Sequence, residues 1–287
     1  MTVNVLVPSS LTREETDKRA ATRKLGYVAR AAVIFGVDRL VIFPDSSGES
    51  EGSLDGGFVE TVLRYALTPP HLRKDVWKSR DELEYAGVLP PLGTISQTGS
   101  GSDDSGSLRQ GIVTEVGTDG RVRVNCGMQH PISVMVPFDR DLQPGERVTV
   151  RIISRRPVRA TLVDAPVPGP SVERTDLLAT LDHSESGFRI ATSRHGEPLT
   201  PSGLSPLTER IAVEGCTIAF GAPQRGLQAI LADHPGVDEQ SKASVESDSA
   251  SADWFDLWLN AVPHQGSEII RTEEAMIAVL ACLTLME

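Results

Sequence analysis

No stretch of this sequence supplies the roughly 20 consecutive apolar residues that a membrane-spanning helix requires. Its opening, Met1-Thr2-Val3-Asn4-Val5-Leu6-Val7, has neither the basic start nor the long apolar core of a secretory leader. Both absences lead to the expectation of a cytoplasmic protein. Cysteine is scarce as well. Cys126, Cys216 and Cys282 stand far apart with no Cys-x-x-Cys pair, which reads as small buried apolar side chains and not as a disulfide framework or zinc site. The six histidines show no metal-ligand spacing, so no metal ion is expected. Also missing are a Gly-x-Gly-x-x-Gly fingerprint, a Walker-type phosphate loop and a Gly-x-Ser-x-Gly nucleophile elbow.

Lysine is rare. Of 28 basic residues only five are lysine (18, 24, 74, 78 and 242), and the net charge is −11. An acidic, lysine-poor composition suits a salt-rich cytoplasm and leads to the expectation of a halophilic source. An acidic chain is at first a poor partner for nucleic acid, but the charge is unevenly placed. Residues 108–163 carry nine arginines against five acids, and Arg73, Lys74, Lys78 and Arg80 face only Asp75 within 71–80. Seven acids and one lysine fall in 232–256. The basic stretches are where phosphate contacts are expected, with a solvated surface as the plain alternative.

The chain itself reads as alternating strands and helices. Val3–Val7 is a short apolar run, and Thr12-x-x-Glu15 is a capping-box pattern that predicts a helix start. Leu25, Val28, Ala29, Ala32 and Val33 recur at helical spacing, Gly36 closes the helix, and Arg39–Phe43 is a second apolar strand. Strand, helix, strand at this length implies a parallel sheet. Residues 46–57 read as a loop, Phe58–Leu67 as a helix, and Thr94–Ser107 as a flexible boundary rich in Gly, Ser and Asp. From Leu108 to Val163 five short β-rich runs are separated by turns such as Gly117-Thr118-Asp119-Gly120. That spacing suggests a small barrel of the OB type, fit either to touch RNA or to serve as a structural insert. Afterwards Phe188–Thr192, Cys216–Phe220 and Trp254–Asn260 read as strands, 236–252 as an acidic loop, and Thr272 onward as a last helix capped by Thr272. Glu273 and Glu274 suit its dipole, and Ala275–Leu285 is apolar enough to need burial on most sides.

Two of the strands end in turns of small residues, Gly221-Ala222-Pro223-Gln224-Arg225-Gly226-Leu227 and Asn260-Ala261-Val262-Pro263-His264-Gln265-Gly266. Small residues at strand C-termini let backbone groups approach a flat ligand, and in an open parallel sheet that crevice is where ligands bind. The second turn, continued by Ser267-Glu268-Ile269-Ile270-Arg271-Thr272-Glu273-Glu274-Ala275, resembles the SPOUT class of RNA methyltransferases. Within that class it is similar to the archaeal–eukaryotic family with an OB-like insertion. Phe220-Gly221-Ala222-Pro223, Lys24–Ala31 and Leu83–Leu92 are similar to the same family, so the likeness covers nearly the whole chain.

The resemblance implies an α/β fold with a trefoil-knotted methyltransferase domain over 1–95 and 165–287, interrupted by an OB-like RNA-binding insert over 96–164. It also implies a homodimer and S-adenosyl-L-methionine as cofactor. On matching positions, Gly221, Ala222 and Pro223 would line one side of that cofactor. Asn260, Ala261 and Val262 would hold its adenine through backbone groups; Gly266, Ile269 and Thr272 would form the other wall, and Thr192 and Ser193 a third loop. His264 stands where relatives more often have glycine, and Val167–Glu173 lacks the Trp-Gly-Tyr pattern expected there. Methylation of ribosomal RNA, at uridine N3, is what the eukaryotic relatives imply. Arg271 and Glu273 are candidates to assist proton removal, or else form a capped helix start with an ion pair. Arg23, Lys24 and Arg30 are candidates to grip phosphate, as are Arg121 and Arg123 in the insert. The competing reading is a non-catalytic RNA-binding protein that keeps the knot as a scaffold.

Overall fold

A computed structural model of the chain describes residues 2–45, 54, 56–92, 107–118, 120–137, 141–165, 169–223, 225–237 and 254–284. Most of the loop expected at 46–57, of the boundary at Thr94–Ser107 and of the acidic loop at 236–252 lies outside the described residues. The chain divides into two units, one of Met1–Ala66, Glu82–Leu92 and Pro170–Glu287, the other of Leu67–Asp81 and Gly93–Gly169.

The first unit is built on a six-stranded sheet. Its strands are β1 (Val3–Pro8), β2 (Arg39–Phe43), β8 (Ser171–Arg174), β9 (Phe188–Pro198), β10 (Cys216–Ala219) and β11 (Leu257–Asn260). The order is β11-β9-β10-β1-β2-β8 and every pairing is parallel. Parallel strands covered on both faces need unbroken apolar runs. β1 and β10 are buried at every position, which is why they read so plainly in the sequence. β8 was not legible. Ser171–Arg174 is a short edge strand with half its residues exposed, so it carries neither an apolar run nor a clear alternation.

The helices of this unit are α1 (Lys18–Ile34), α2 (Gly56–Leu67), α4 (Leu177–Leu181), α5 (Pro201–Glu214), α6 (Leu227–Ala232) and α7 (Thr272–Leu283). Leu25, Val28, Ala29 and Ala32 of α1 are buried, as the spacing predicts. Its start differs from the expectation. Asp17, not Thr12, is the N-cap, its carboxylate accepting from the Ala20 N–H at 2.8 Å. Thr12–Glu15 forms a turn instead, with the Glu15 N–H donating to the Thr12 carbonyl at 3.0 Å. The reason is the use made of Glu14 and Glu15, which turn inward onto Lys24. Gly36 follows the helix at φ 64, the left-handed position that favours glycine at a helix end.

The second unit holds α3 (Pro70–Val76) and a five-stranded antiparallel sheet. Its strands are β3 (Ser107–Val116), β4 (Arg121–Asn125), β5 (Ile132–Met135), β6 (Arg147–Arg155) and β7 (Val158–Val163), in the order β5-β4-β3-β6-β7. The edge strands β5 and β7 approach each other. Alternation sends Val122, Val124, Ile132 and Val134 into one apolar core while Arg121 and Arg123 face out. Gly111 has no room for a side chain, since a Cβ there would fall 2.3 Å from Val124 Cγ1. Segment 67–81 packs with this unit. His71 Nε2 lies 3.1 Å from the Gln110 carbonyl, Arg147 Nη2 donates to Thr68 Oγ1 at 3.2 Å, and Asn125 Nδ2 donates to Asp75 at 2.9 Å.

Candidate active site

The C-terminal ends of three neighbouring strands, β9, β10 and β11, converge in the first unit, and the loops that leave them enclose a cleft of about 700 Å³. β9 contributes an excursion. Ala191 pairs with Trp258, but the next residue of β11, Leu259, pairs with Glu197, so Thr192–Gly196 steps out of the sheet. Gly196 makes the return possible, because a Cβ there would sit 2.8 Å from the Trp258 carbonyl oxygen. β10 contributes the turn Phe220–Leu227, and β11 the stretch from Asn260 into α7.

Side-chain hydrogen bonds tie these loops together. Thr192 Oγ1 donates to the Ala219 carbonyl at 2.9 Å. Asn260 Nδ2 donates to the Arg194 carbonyl at 2.8 Å, while its Oδ1 accepts from the Val262 N–H at 3.0 Å. Thr272 Oγ1 reaches the Gly221 carbonyl at 3.1 Å, joining the first turn of α7 to the turn after β10. Gly221 is packed tightly: a Cβ would lie 2.7 Å from the Leu227 nitrogen.

Of the residues singled out for a cofactor, Thr192, Gly221, Ala222, Pro223, Asn260, Ala261, Val262, Ile269 and Thr272 all line the cleft, with Ser193 beside them. Gly266 does not, and His264 is exposed outside it. Thr272 is not the helix cap. Arg271 takes that place, its N–H bonded to Glu274 Oε2 at 2.9 Å, because the Thr272 hydroxyl is engaged on Gly221.

Arg271 and Glu273 sit on the other side of the helix start from the cleft, in a charged cluster with Lys24, Glu14 and Glu15. Lys24 Nζ is bonded to Glu14 and lies 3.7 Å from Glu273 and 4.0 Å from Glu15; Arg271 is 3.8 Å from Glu15. Lys24 is only 2% exposed, so it meets carboxylates where the sequence suggested phosphate. Burial raises the Glu273 carboxyl above its ordinary value, with Lys24 pulling the other way. Arg23 and Arg30 are exposed on α1, Arg30 donating to the Pro91 carbonyl at 2.8 Å, and Arg123 lies 3.6 Å from Glu115 on the outer face of β4.

Arg225 is a cleft residue the sequence reading quoted but did not assign. Its Nη2 donates to Asp233 at 2.7 Å, and its Nε is 3.2 Å from Asp45, a buried carboxylate that also accepts from Ser10 Oγ at 2.6 Å. Only the fold brings residue 45 to residue 225. Among the described residues no group of three or more His, Cys, Asp or Glu could hold a metal ion, and no helix is long and apolar enough to cross a membrane.

A family model described as "Putative RNA methyltransferase" matches residues 2–283. The chain belongs to this family of RNA methyltransferases. Two relatives in the family are 62% and 61% identical over the full length of both chains, an uncharacterized protein of Haloarcula marismortui and one of Halobacterium salinarum. The human 28S rRNA (uridine-N(3))-methyltransferase is 29% identical over 98% of this chain and 77% of its own length. Membership makes the protein a methyl-transferring enzyme acting on RNA, and it requires a methyl donor.

Proposed function

We propose that the protein is a cytoplasmic S-adenosyl-L-methionine-dependent methyltransferase of ribosomal RNA in a halophilic archaeon, acting on uridine at N3. The observation that carries the reading is that the turns at 221 and 261 meet across one cleft at the C-terminal ends of parallel strands. The residues present fit the donor. A Cβ at Gly221 would crowd the backbone of its own turn, and the hydroxyls and amide of Thr192, Thr272 and Asn260 brace the loops that would hold it. When bound, the cofactor supplies an electrophilic methyl group on sulfur. Ala261 and Val262 would clasp its adenine, and Ile269 and Thr272 would close the opposite wall. Holding nucleophile and methyl group in line is the chief contribution asked of the chain.

The path from β11 supports a knotted C-terminal region. Asn260 ends the edge strand, yet Thr272 reaches Gly221 beyond β10, so the stretch between must cross the end of β9. We assign the five-stranded unit as the OB-like RNA-binding insert, supported by Arg121 and Arg123 on its outer face. A homodimer is the proposed state. α5 and α7 pack together and expose Val213 (87%) and Ile277 (44%), apolar side chains that a second copy would cover.

The test is transfer of labelled methyl groups from S-adenosyl-L-methionine to RNA from a strain lacking the gene, with modified nucleotides mapped in both strains. Transfer to a single uridine of ribosomal RNA is expected. Absence of cofactor binding by calorimetry at millimolar ligand would leave only an RNA-binding scaffold.

A further inference from the structure

None of the cations in the basic stretch 71–80 lines the cleft. The stretch precedes the antiparallel strands in the chain, yet it packs with them, and the packing gathers its arginines around one buried threonine. Thr68, 1% exposed, accepts at Oγ1 from the Trp77 indole N–H at 3.0 Å and from Arg147 Nη2 at 3.2 Å. Its carbonyl oxygen accepts from Arg73 Nε at 3.0 Å. Arg80 lies over the face of the same indole, 5.3 Å from the ring centroid. Arginines from positions 73, 80 and 147 thus share one centre, and Arg147 reaches it from β6. Lys74, Lys78 and Arg80 are exposed.

The two acids of the segment do not neutralise it. Asp75 accepts from Asn125 Nδ2 at 2.9 Å, and among the described residues neither Asp75 nor Asp81 forms an ion pair. Lys74, Lys78 and Arg80 likewise have no carboxylate partner among the described residues. Like charges held close repel one another, so a cluster braced by hydrogen bonds and a stacked ring suits a polyanion. The planar guanidinium fork matches phosphate oxygens, and lysine adds a point charge. RNA, the substrate class of the family, presents a row of phosphates.

We propose that segment 70–80 and Arg147 form a surface that grips the RNA backbone, its arginines held in place by Thr68 and Trp77. The assignment rests on the RNA-binding role proposed for the five-stranded unit. It adds to Arg121 and Arg123 a second set of cations, one that lies outside the strands of the insert.

Binding of labelled oligouridylate across a potassium chloride series tests it. Each phosphate contact contributes about 0.7 to the slope of log affinity against log salt for a single strand. Lys74→Gln, Lys78→Gln and Arg80→Gln combined should flatten that slope by about 2 and leave the calorimetric Kd for S-adenosyl-L-methionine within twofold. Arg39→Gln, Arg64→Gln and Arg210→Gln combined remove the same charge from three ion-paired arginines of the first unit and should keep the wild-type slope. An unchanged slope in the first variant overturns the proposal. Equal flattening in the second does so too, since net charge alone would then account for the effect. Failure of the wild-type protein to bind oligouridylate at any salt overturns it as well. Arg121→Gln with Arg123→Gln separates this proposal from the reading it rests on. A flatter slope there, beside an unchanged one in the segment variant, keeps RNA on the sheet and removes it from 70–80; wild-type slopes in both variants take RNA off the whole unit.

Discussion

Gly221 and Gly266 both belong to the small-residue turns that suggested a cofactor site, yet the structure predicts opposite outcomes when each is changed to alanine. At Gly221 the new methyl carbon would stand 2.7 Å from the Leu227 nitrogen and 3.0 Å from the Gly226 carbonyl carbon. Both are backbone atoms, so no side chain can rotate away. Restoring an ordinary contact near 3.5 Å means opening the turn by roughly 0.8 Å, and forcing an extra methyl into packed surroundings costs about 1–3 kcal/mol. The displaced turn is the proposed cofactor wall, bonded to Thr272. Carried into binding at about 1.4 kcal/mol per factor of ten, the cost weakens S-adenosyl-L-methionine affinity about ten- to a hundredfold. At Gly266 nothing lies within 4 Å of the new carbon, and the residue does not line the cleft. Gly266→Ala should bind the cofactor as the wild type does. Calorimetry on both variants, with thermal melts to confirm folding, reads the difference. Equal affinities in the two variants, in either direction, would refute the assignment of the wall to the 221 turn.

Lys24→Met should destabilise the protein by about 3–5 kcal/mol, because Glu14, Glu15 and Glu273 lose their buried cation; a thermal melt shows this, and Lys24→Arg should recover part of the loss. The Glu273 carboxyl, raised by burial, holds its proton more tightly in the folded state. Its contribution to stability is therefore present below the ordinary value and fades as pH rises through the raised one, so Glu273→Gln should remove that segment of the pH–stability curve measured in urea. Asp256 behaves in the opposite sense. Hydrogen bonds from Arg189 hold its carboxyl below the ordinary value, so its contribution is present above that value and lost as pH falls through the lowered one. Asp256→Asn should cost about 1 kcal/mol near neutrality, and the two denaturation curves should merge in acid.

How much of this was legible in the sequence follows from how local each cause is. β1, β2 and β10 are buried almost throughout and carry near-continuous apolar runs, interrupted by Asn4, Thr217 and the half-buried Arg39, so a reader of the sequence finds them without a fold in hand. The two small-residue turns and their likeness to the family were legible for a similar reason, since a close backbone approach restricts residue type at each position. What the linear pattern could not supply was direction around a helix start and contact across long separations. Arg271, Thr272 and Glu273 are adjacent in sequence, yet Thr272 faces the cleft while Glu273 meets Lys24 and Arg271 meets Glu15, because the side chains of a helix's first turn point to different sides. Lys24 itself looked like a surface cation on a helix, and only the packing of residues 14, 15 and 273 around it made it a buried one. The pairing of Asp45 with Arg225 likewise exists only because parallel strands bring remote segments to one edge of the sheet. The sequence determined most of the strands, the turns and the family. The tertiary structure decided which side chains share a space, a consequence of strand order that no single segment encodes.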